Sequence, residues 1–558
     1  MTTPSWWKDA VCYQIYPRSF ADANGDGIGD LRGIIDKLDY LQWLGVTVLW
    51  LSPFFPSPQF DVGYDISDYR DVDPDYGSLD DFDHLLAAAH QRGIRVLLDL
   101  VLNHTSDQHE WFQQSRLGPD NPYHDWYIWR EGRDGGPPND WESIFGGSAW
   151  QYDETVGQYY YHYFFKEQPD LNWRNPVVKQ RMFDEVRFWL DRGVDGFRLD
   201  AIGAIYEDPD LPDAEVNVGL EEIFLNWTMG VLEGTTEAFR QKIRYQDDLP
   251  ENHGLMKALR ELIDTYEDRV LLGETDDPRY YGNGVDELHS VFNFDILRFH
   301  PDENFDASQI RQKLLERQPR LPDGVWECNT LSNHDRSRSF SFYGEHPARY
   351  RVALAMAVLL HGTPVIYNGE EIGMGDYPMQ DISWFKDNLG VWIYRVLQQK
   401  RQIGQEEALM FANIMGRDKC RTPMQWANMP NGGFSPSGVQ TWLPVNPNYA
   451  VGVNVAEQEQ DPESVLHYVR RLIAVRQNHK ALRRGVIRFV EHTTVLAFWR
   501  EIADQRCLVA LNMSDEAVTV QLDAQAGKFV FGTHAHSAED NLAALVLQPY
   551  EVYVGIAR

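Results

Sequence analysis

The sequence predicts an α/β fold: a parallel (β/α)8 TIM barrel with an inserted subdomain after strand 3 and a C-terminal antiparallel β-sandwich. Three observations carry this prediction. Eight apolar runs recur with helical patterns between them, which argues for a closed parallel barrel over an open sheet. The third gap, from Asn103 to Gly193, is far longer than a connecting loop. The tail from about Lys480 switches to period-two alternation.

The eight runs are Val11–Tyr16, Val46–Leu51, Ile94–Val101, Val194–Leu199, Val270–Gly273, Val291–Phe294, Val325–Leu331 and Pro364–Tyr367. Helical patterns fill the intervals, as at Leu79–Arg92 and Pro176–Arg192. Gly, Pro, Trp and Tyr crowd the long third gap, as in Gly135-Gly136-Pro137-Pro138-Asn139-Asp140-Trp141, and mark a subdomain rather than a linker. A second insertion follows the eighth run, from about Met374 to Tyr449. In the tail, Val495–Trp499, Cys507–Leu511 and Val546–Val554 read as sandwich strands. The expected domains are therefore 1–104 with 174–479 for the barrel, 105–173 for the insert and 480–558 for the sandwich.

A chain of 558 residues, 43% hydrophobic and 13% aromatic, can bury a large core in more than one domain. No apolar stretch reaches the length of about 18 residues that a spanning helix needs. Met1 to Lys8 lacks a basic region followed by an apolar one, so a cytoplasmic protein is expected. Cys12, Cys328, Cys420 and Cys507 are scattered without metal-ligand spacing and read as buried free thiols. The net charge of -33 argues strongly against nucleic acid and anionic membrane as partners.

Three runs lead into a carboxylate. Gly196–Leu199 ends at Asp200, Leu271–Gly273 at Glu274, and Val325–Leu331 is followed by Asn333-His334-Asp335. The C-terminal ends of barrel strands form the mouth where catalytic groups sit. One Asp after a strand is often only a helix cap. Three acids converging on one mouth are costly unless the site acts on a cationic transition state. Arg198 lies two residues before Asp200, on the same side of the strand. Its guanidinium is expected to keep Asp200 ionised, while burial and nearby charge are expected to raise Glu274.

Motifs in order add a resemblance: Tyr13-Gln14-Ile15-Tyr16-Pro17-Arg18-Ser19-Phe20, Gly63-Tyr64-Asp65, Asp99-Leu100-Val101-Leu102-Asn103-His104, Gln168-Pro169-Asp170-Leu171-Asn172, Gly196–Asp200, Gly273-Glu274, Asn333-His334-Asp335 and Arg421-Thr422-Pro423-Met424-Gln425-Trp426. Over essentially its whole length the chain resembles the α-amylase superfamily, glycoside hydrolase family 13. Within it, the chain is most similar to the oligo-1,6-glucosidase and α-glucosidase group. One departure is Asn368, where relatives usually carry Gln.

The resemblance implies Asp200 as nucleophile, Glu274 as general acid/base and Asp335 as a third carboxylate gripping sugar hydroxyls. It implies His104 and His334 as hydrogen-bond donors to sugar, and Tyr64 as a stacking platform. Asp61 and Arg421 would bind the 4-hydroxyl of a terminal glucose and close the pocket behind one sugar. Phe145 and Phe165 are candidate walls for the next sugar, with plain packing as the alternative. Ala201 is the linkage clue: relatives cutting α-1,6 bonds tend to carry Val there, and those acting on α-1,4 bonds Ala or Thr. The expectation is a retaining exo-acting α-glucosidase on short α-1,4-glucosides such as maltose, with an α-1,6-glucosidase as runner-up. Alcohol or sugar acceptors could intercept the same intermediate, and a homodimer stays open. A sucrose isomerase is disfavoured because Arg336-Ser337-Arg338-Ser339-Phe340 stands where such enzymes have Arg-Leu-Asp-Arg-Tyr. A non-enzymatic relative, such as a transporter heavy chain, is disfavoured by the retained acids and the lack of a membrane helix.

Asp22-Ala23-Asn24-Gly25-Asp26-Gly27-Ile28-Gly29-Asp30 spaces side-chain oxygens like the first part of a calcium loop, with the Ile28 carbonyl at the seventh position. The twelfth position is Gly33 rather than Glu, so it is no EF-hand. The family often holds structural Ca2+ here, sometimes Mg2+. No organic cofactor is expected.

Overall fold

The computed structural model describes residues 5–228, 234–296 and 305–557. Eight parallel strands close a barrel: β1 Cys12–Ile15, β2 Val48–Leu51, β3 Arg95–Val101, β4 Gly196–Asp200, β5 Val270–Gly273, β6 Ser290–Asn293, β7 Cys328–Thr330 and β8 Thr363–Tyr367. They neighbour one another in chain order around the circle, and β8 pairs with β1 to close it. The predicted fold is the observed one. The predicted runs contain these strands to within a few residues, and the largest trim is at β7, which begins at Cys328 rather than Val325.

Local chemistry explains the intervening helices. Leu79–Gln91 opens on a capping box, in which Ser78 accepts from the Asp81 amide and Asp81 accepts from the Ser78 amide. Pro176–Arg192 has Asn175 as cap and Pro176 in the first turn, and stops at Gly193 with φ 103°. Inside the barrel, Cys12, Val48, Trp50, Leu97, Leu272 and Phe292 fill the interior among other side chains, so the barrel is a packed core and not a pore. Gly196 has φ 148°, and a Cβ there would lie 2.1 Å from the Val270 carbonyl oxygen, so only glycine lets β4 approach β5 this closely.

Residues 105–173 carry a three-stranded antiparallel sheet ordered Trp129–Arg130, Gln158–Tyr161 and Trp150–Asp153. The C-terminal strands are β9 Val486–Val490, β10 Val495–Ile502, β11 Gln505–Asn512, β12 Val518–Val520, β13 Ala526–Gly532, β14 Glu539–Asn541, β15 Leu545–Leu547 and β16 Val552–Ala557. Six form an antiparallel sheet ordered β9-β10-β11-β16-β13-β14, and β12 pairs with β15. Alternation along β10 buries both faces: Val495, Ala497 and Trp499 pack with Val520, Leu545 and Leu547, while Leu496 and Phe498 join the main core.

The segment after β8 contains paired helices Asn388–Arg401 and Gln405–Met415 and then returns to the loop after β1. The Met424 amide donates to the Ser19 carbonyl at 2.8 Å, the Trp442 amide to Gly27 at 3.0 Å and the Asp22 amide to Phe434 at 3.1 Å. The Trp426 indole donates to the Phe20 carbonyl at 2.7 Å. The four cysteines are buried and free. Among the described residues, no helix is long and apolar enough to cross a membrane.

Candidate active site

The mouth at the C-terminal strand ends is organised by one arginine. Arg198, 1% exposed on β4, donates to Asp99 Oδ1 at 2.7 Å and to Asp200 Oδ1 at 2.6 Å, and its second terminal nitrogen lies 2.8 Å from Glu274 Oε2. Strand register produces this: Asp99 on β3 is the neighbour of Arg198 on β4, and Glu274 follows β5 directly. Glu274 Oε2 also accepts from the Ala201 amide at 3.0 Å. Ala201 reaches that position with φ 42° and ψ 45°, a left-handed conformation uncommon for a residue with a Cβ.

Three carboxylates share this guanidinium, and that corrects the expectation that Arg198 alone keeps Asp200 ionised. Burial comes first and raises Asp200 well above the ordinary carboxylate value; Arg198 pulls it down, and Glu274 and Asp99 push it up again. Burial likewise raises Asp99 to about 6 against the pull of Arg198. Asp99 and Asp200 therefore hold a proton more tightly than isolated carboxylates do, and that proton belongs to the coupled pair.

Asp335 lies in the opposite electrostatic setting. Arg421 donates to its Oδ1 at 2.6 Å, with Arg417 at 3.5 Å and His334 Nε2 at 3.3 Å from Oδ2. Burial would raise Asp335, but His334, Arg421, Arg417 and Arg198 together hold it well below the ordinary range. Burial lowers His334 itself to about 3, so at neutral pH it is an uncharged hydrogen-bond partner and the arginines supply the standing positive charge.

Asp61 and Arg421, both expected at the 4-hydroxyl, take different ionic partners. Arg421 is fully buried and donates to the His334 carbonyl and Asp335, while its other terminal nitrogen has no hydrogen-bond partner. Arg417, four residues earlier, takes Asp61 at 2.7 Å and grips Asp387 with both a terminal nitrogen, at 2.7 Å, and Nε, at 3.1 Å. Gln168 bridges Asp61, at 3.1 Å, and His104, at 2.9 Å. Burial lowers His104 to about 3, leaving it neutral. Tyr64 donates toward Asp99 at 3.0 Å, contacts His334 Nε2 at 2.6 Å and stacks on that ring at a 5.3 Å centroid distance. Phe145 and Phe165, 4.4 Å apart, form a half-buried aromatic wall with Arg417 over Phe145 at 5.4 Å.

Every residue expected at the sugar site thus belongs to one chain of contacts running from Glu274 through Arg198, Tyr64, His334 and Arg417 to Phe165. Four members were absent from the expected set. Asp99 and Gln168 stand inside motifs quoted for the resemblance. Arg417 lies one helical turn before Arg421, and Asp387 has no signal in the sequence. Asn368, the departure from the family, is buried and accepts from the Tyr16 amide at 3.0 Å.

The loop of Asp22, Asn24, Asp26, Ile28 and Asp30 is closed by its own backbone. Asp22 accepts from Gly25 at 2.6 Å and Gly27 at 2.8 Å, Asp26 from Ile28 at 2.8 Å, and Asp30 from Gly33 at 2.7 Å and Ala23 at 2.9 Å. Among the described residues, no three His, Cys, Asp or Glu side chains converge as a metal cage. The loop's donors are mixed hard oxygens: carboxylates, the Asn24 amide and the Ile28 carbonyl.

The "Alpha amylase, catalytic domain" profile matches residues 14–485, and the "Maltogenic Amylase, C-terminal domain" profile matches residues 487–554. The chain belongs to the α-amylase family. It is a glycoside hydrolase of the glucosidase type. The oligo-1,6-glucosidase of Heyndrickxia coagulans is 40% identical, covering 98% of this chain and 99% of that one. A probable alpha-glucosidase of Rhizobium meliloti (strain 1021) is 40% identical over 93% of this chain and 91% of that one. The trehalulose synthase MutB from Pseudomonas mesoacidophila MX-45 superposes with a TM-score of 0.88 at 35% identity, covering 100% of both chains. An α-amylase-family barrel thus carries the Arg198 cluster at its mouth.

Proposed function

We propose that this chain is a retaining, exo-acting α-glucosidase that releases or transfers the non-reducing terminal glucose of short α-1,4-glucosides. One observation carries the reading: a single guanidinium holds the Asp200 and Glu274 carboxyls side by side. A retaining pair sits about 5–5.5 Å apart, against roughly 6.5–9.5 Å for an inverting one, and a shared guanidinium favours the shorter spacing. In the reactive state the cluster's shared proton is off Asp200, which attacks the anomeric carbon as a carboxylate while Glu274 protonates the departing oxygen. Glu274 suits that task because its side chain is 25% exposed, against 12% for Asp200 and 0% for Asp99, so it faces the incoming bond. It then takes a proton from water, or from an alcohol or sugar acceptor, as that oxygen attacks the glucosyl–Asp200 ester from the opposite face.

Asp335, held anionic by Arg421 and Arg417, grips sugar hydroxyls and favours the distorted ring. Asp61 with Arg417 binds the 4-hydroxyl and makes the enzyme exo-acting. The rival reading, α-1,6 cleavage, draws on relatives named oligo-1,6-glucosidases; Ala201 after the nucleophile favours α-1,4. The test is glucose release from maltose and isomaltose side by side, with and without an added alcohol. Faster maltose cleavage supports the linkage, and glucoside on the alcohol supports transfer. Faster isomaltose cleavage discards the α-1,4 assignment, and unchanged glucose release by Asp200→Asn discards the nucleophile.

In the loop after β1, the same reading assigns a hard cation, Ca2+ or Mg2+, to Asp22, Asn24, Asp26, Asp30 and the Ile28 carbonyl. Its contribution would be charge neutralisation that rigidifies the turn. A chelator should then lower Tm by a few degrees, and an unchanged melt removes the assignment.

A further inference from the structure

A cavity of about 500 Å³ lies at the end of the barrel opposite the mouth. It is bounded by the residues just before β7 and β8, by the helix Ala307–Arg317 and by β9. Its body is apolar. Leu314, Leu321, Leu360, Ile487 and Phe489 line it, and Trp326 and His361 stand there with ring centroids 4.1 Å apart. That volume and lining suit a small molecule with a ring system.

The charges around it do not cancel. Arg317 is spent on Glu327 at 2.5 Å and Arg484 on Asp9 at 2.6 Å. Asp323 is exposed at the rim. Lys8 has no carboxylate within ion-pair distance among the described residues, and its ammonium donates only to the Gly324 carbonyl at 2.7 Å. Behind the cavity, Arg476 and Arg500 are fully buried and bonded only to carbonyl oxygens, those of Leu482, Lys8 and Gly362 for the first and of Gly485 and Leu359 for the second. Burial, then Arg500, Arg476 and Lys8, lower His361 to about 3, which registers the positive field at its ring. The wall also carries an unsatisfied polar group: Asn293 is 2% exposed and its Oδ1 has no hydrogen-bond partner. The excess of cations is local, on a chain whose net charge is -33.

We propose that this cavity binds a small amphipathic anion, with an aromatic body of one or two rings against Trp326 and Phe489 and a single acidic group facing Lys8. A neutral sugar fits poorly, because it would set hydroxyls against Leu314, Leu360, Ile487 and Phe489 and leave the Lys8 ammonium without a counter-charge. A cation is repelled by Lys8, Arg476 and Arg500. The acidic group would give the Lys8 ammonium its missing counter-charge, and a hydroxyl or N–H on the body could donate to Asn293.

The probe is 1-anilinonaphthalene-8-sulfonate, compared with its uncharged parent N-phenyl-1-naphthylamine, each titrated by fluorescence into the full-length enzyme. The expected result is one saturable sulfonate site per chain, with the uncharged dye about 10-fold weaker, as one charge-assisted contact warrants. Lys8→Met should lower sulfonate affinity about 10-fold and leave the uncharged dye unchanged. Val486→Glu, at a rim position 65% exposed, should also weaken the sulfonate by adding a negative charge. Neither variant touches the mouth, so glucose release should be unchanged in both. Absence of saturable binding, equal binding of the two dyes, displacement of the sulfonate by maltose, or a Lys8→Met site of unaltered affinity overturns the proposal.

Discussion

Two arginine-centred networks face each other across the mouth, and they differ in stoichiometry. Arg198 serves three carboxylates, Asp99, Asp200 and Glu274. On the other side Arg417 and Arg421 serve Asp61, Asp335 and Asp387. The first network is short of positive charge, and burial lifts Asp99 and Asp200. The second has more: burial also acts on Asp387, but Arg417 holds it at about 2, and Asp335 lies lower still. Asp61, buried and with Asp387 nearby, is the exception and is raised despite Arg417 and Arg421. The contrast teaches that similar residue types become proton-handling or charge-fixed according to how many guanidiniums they share.

The largest expected effect is on the charge-poor side. Arg198→Met leaves three acids without their cation; kcat should fall by at least roughly 10³-fold, and urea denaturation should show a loss of about 3–5 kcal/mol. If activity falls while stability holds, the arginine is catalytic without being the structural hub. Next comes Arg417→Met, which frees Asp61 and Asp387 but leaves Asp335 its Arg421. KM for maltose should rise about 10–100-fold, with a smaller change in kcat. A drop confined to kcat would erase the functional distinction between the networks.

Stability against pH sharpens the comparison because the two sides have opposite signs. The native state raises Asp99 from 3.8 to about 6, so its contribution is full below the unfolded value and is lost as pH climbs through about 6. Asp387 is lowered to about 2, so its contribution is present above the unfolded value and is lost as pH falls through about 2. Urea melts across the upper window should lose about 1–3 kcal/mol in the parent, and Asp99→Asn should flatten that slope. An unchanged slope would remove Asp99 from the proton-handling set. The smallest effect belongs to Ala201→Val. It should move the isomaltose-to-maltose rate ratio upward by about 10-fold. It should also cost about 1–2 kcal/mol, since a β-branched side chain must adopt φ 42°. An unmoved ratio would detach linkage preference from this position.

The barrel was legible because its strands are buried on both faces and read as continuous apolar runs. Asp200 and Glu274 were legible because strand ends are fixed by those runs. Arg417 was not, since it approaches Asp61 across 356 residues at the end of a long insertion whose return to the mouth no sequence pattern marks. Nor was the raised Asp200: sequence shows the neighbouring arginine but not how many acids share it. Phe145 and Phe165 were legible only as separate candidate walls in the third insertion; nothing in the sequence indicated that their rings would lie 4.4 Å apart or that Arg417 would cover one of them.

The loop after β1 is tied to the segment after β8, and Asp9 is tied to Arg484. For a chain made from its N-terminus, those contacts wait until some 400 further residues have been synthesised, and 475 in the case of Asp9 and Arg484. At about 5–20 residues per second, that is roughly 20–80 s of exposure for the first strand and the loop that follows it. The ring closes only when Thr363–Tyr367 emerges to meet Cys12–Ile15. The mouth is therefore a late product of biosynthesis, and a truncated nascent chain would display unpaired strand edges well before it could turn over a glucoside.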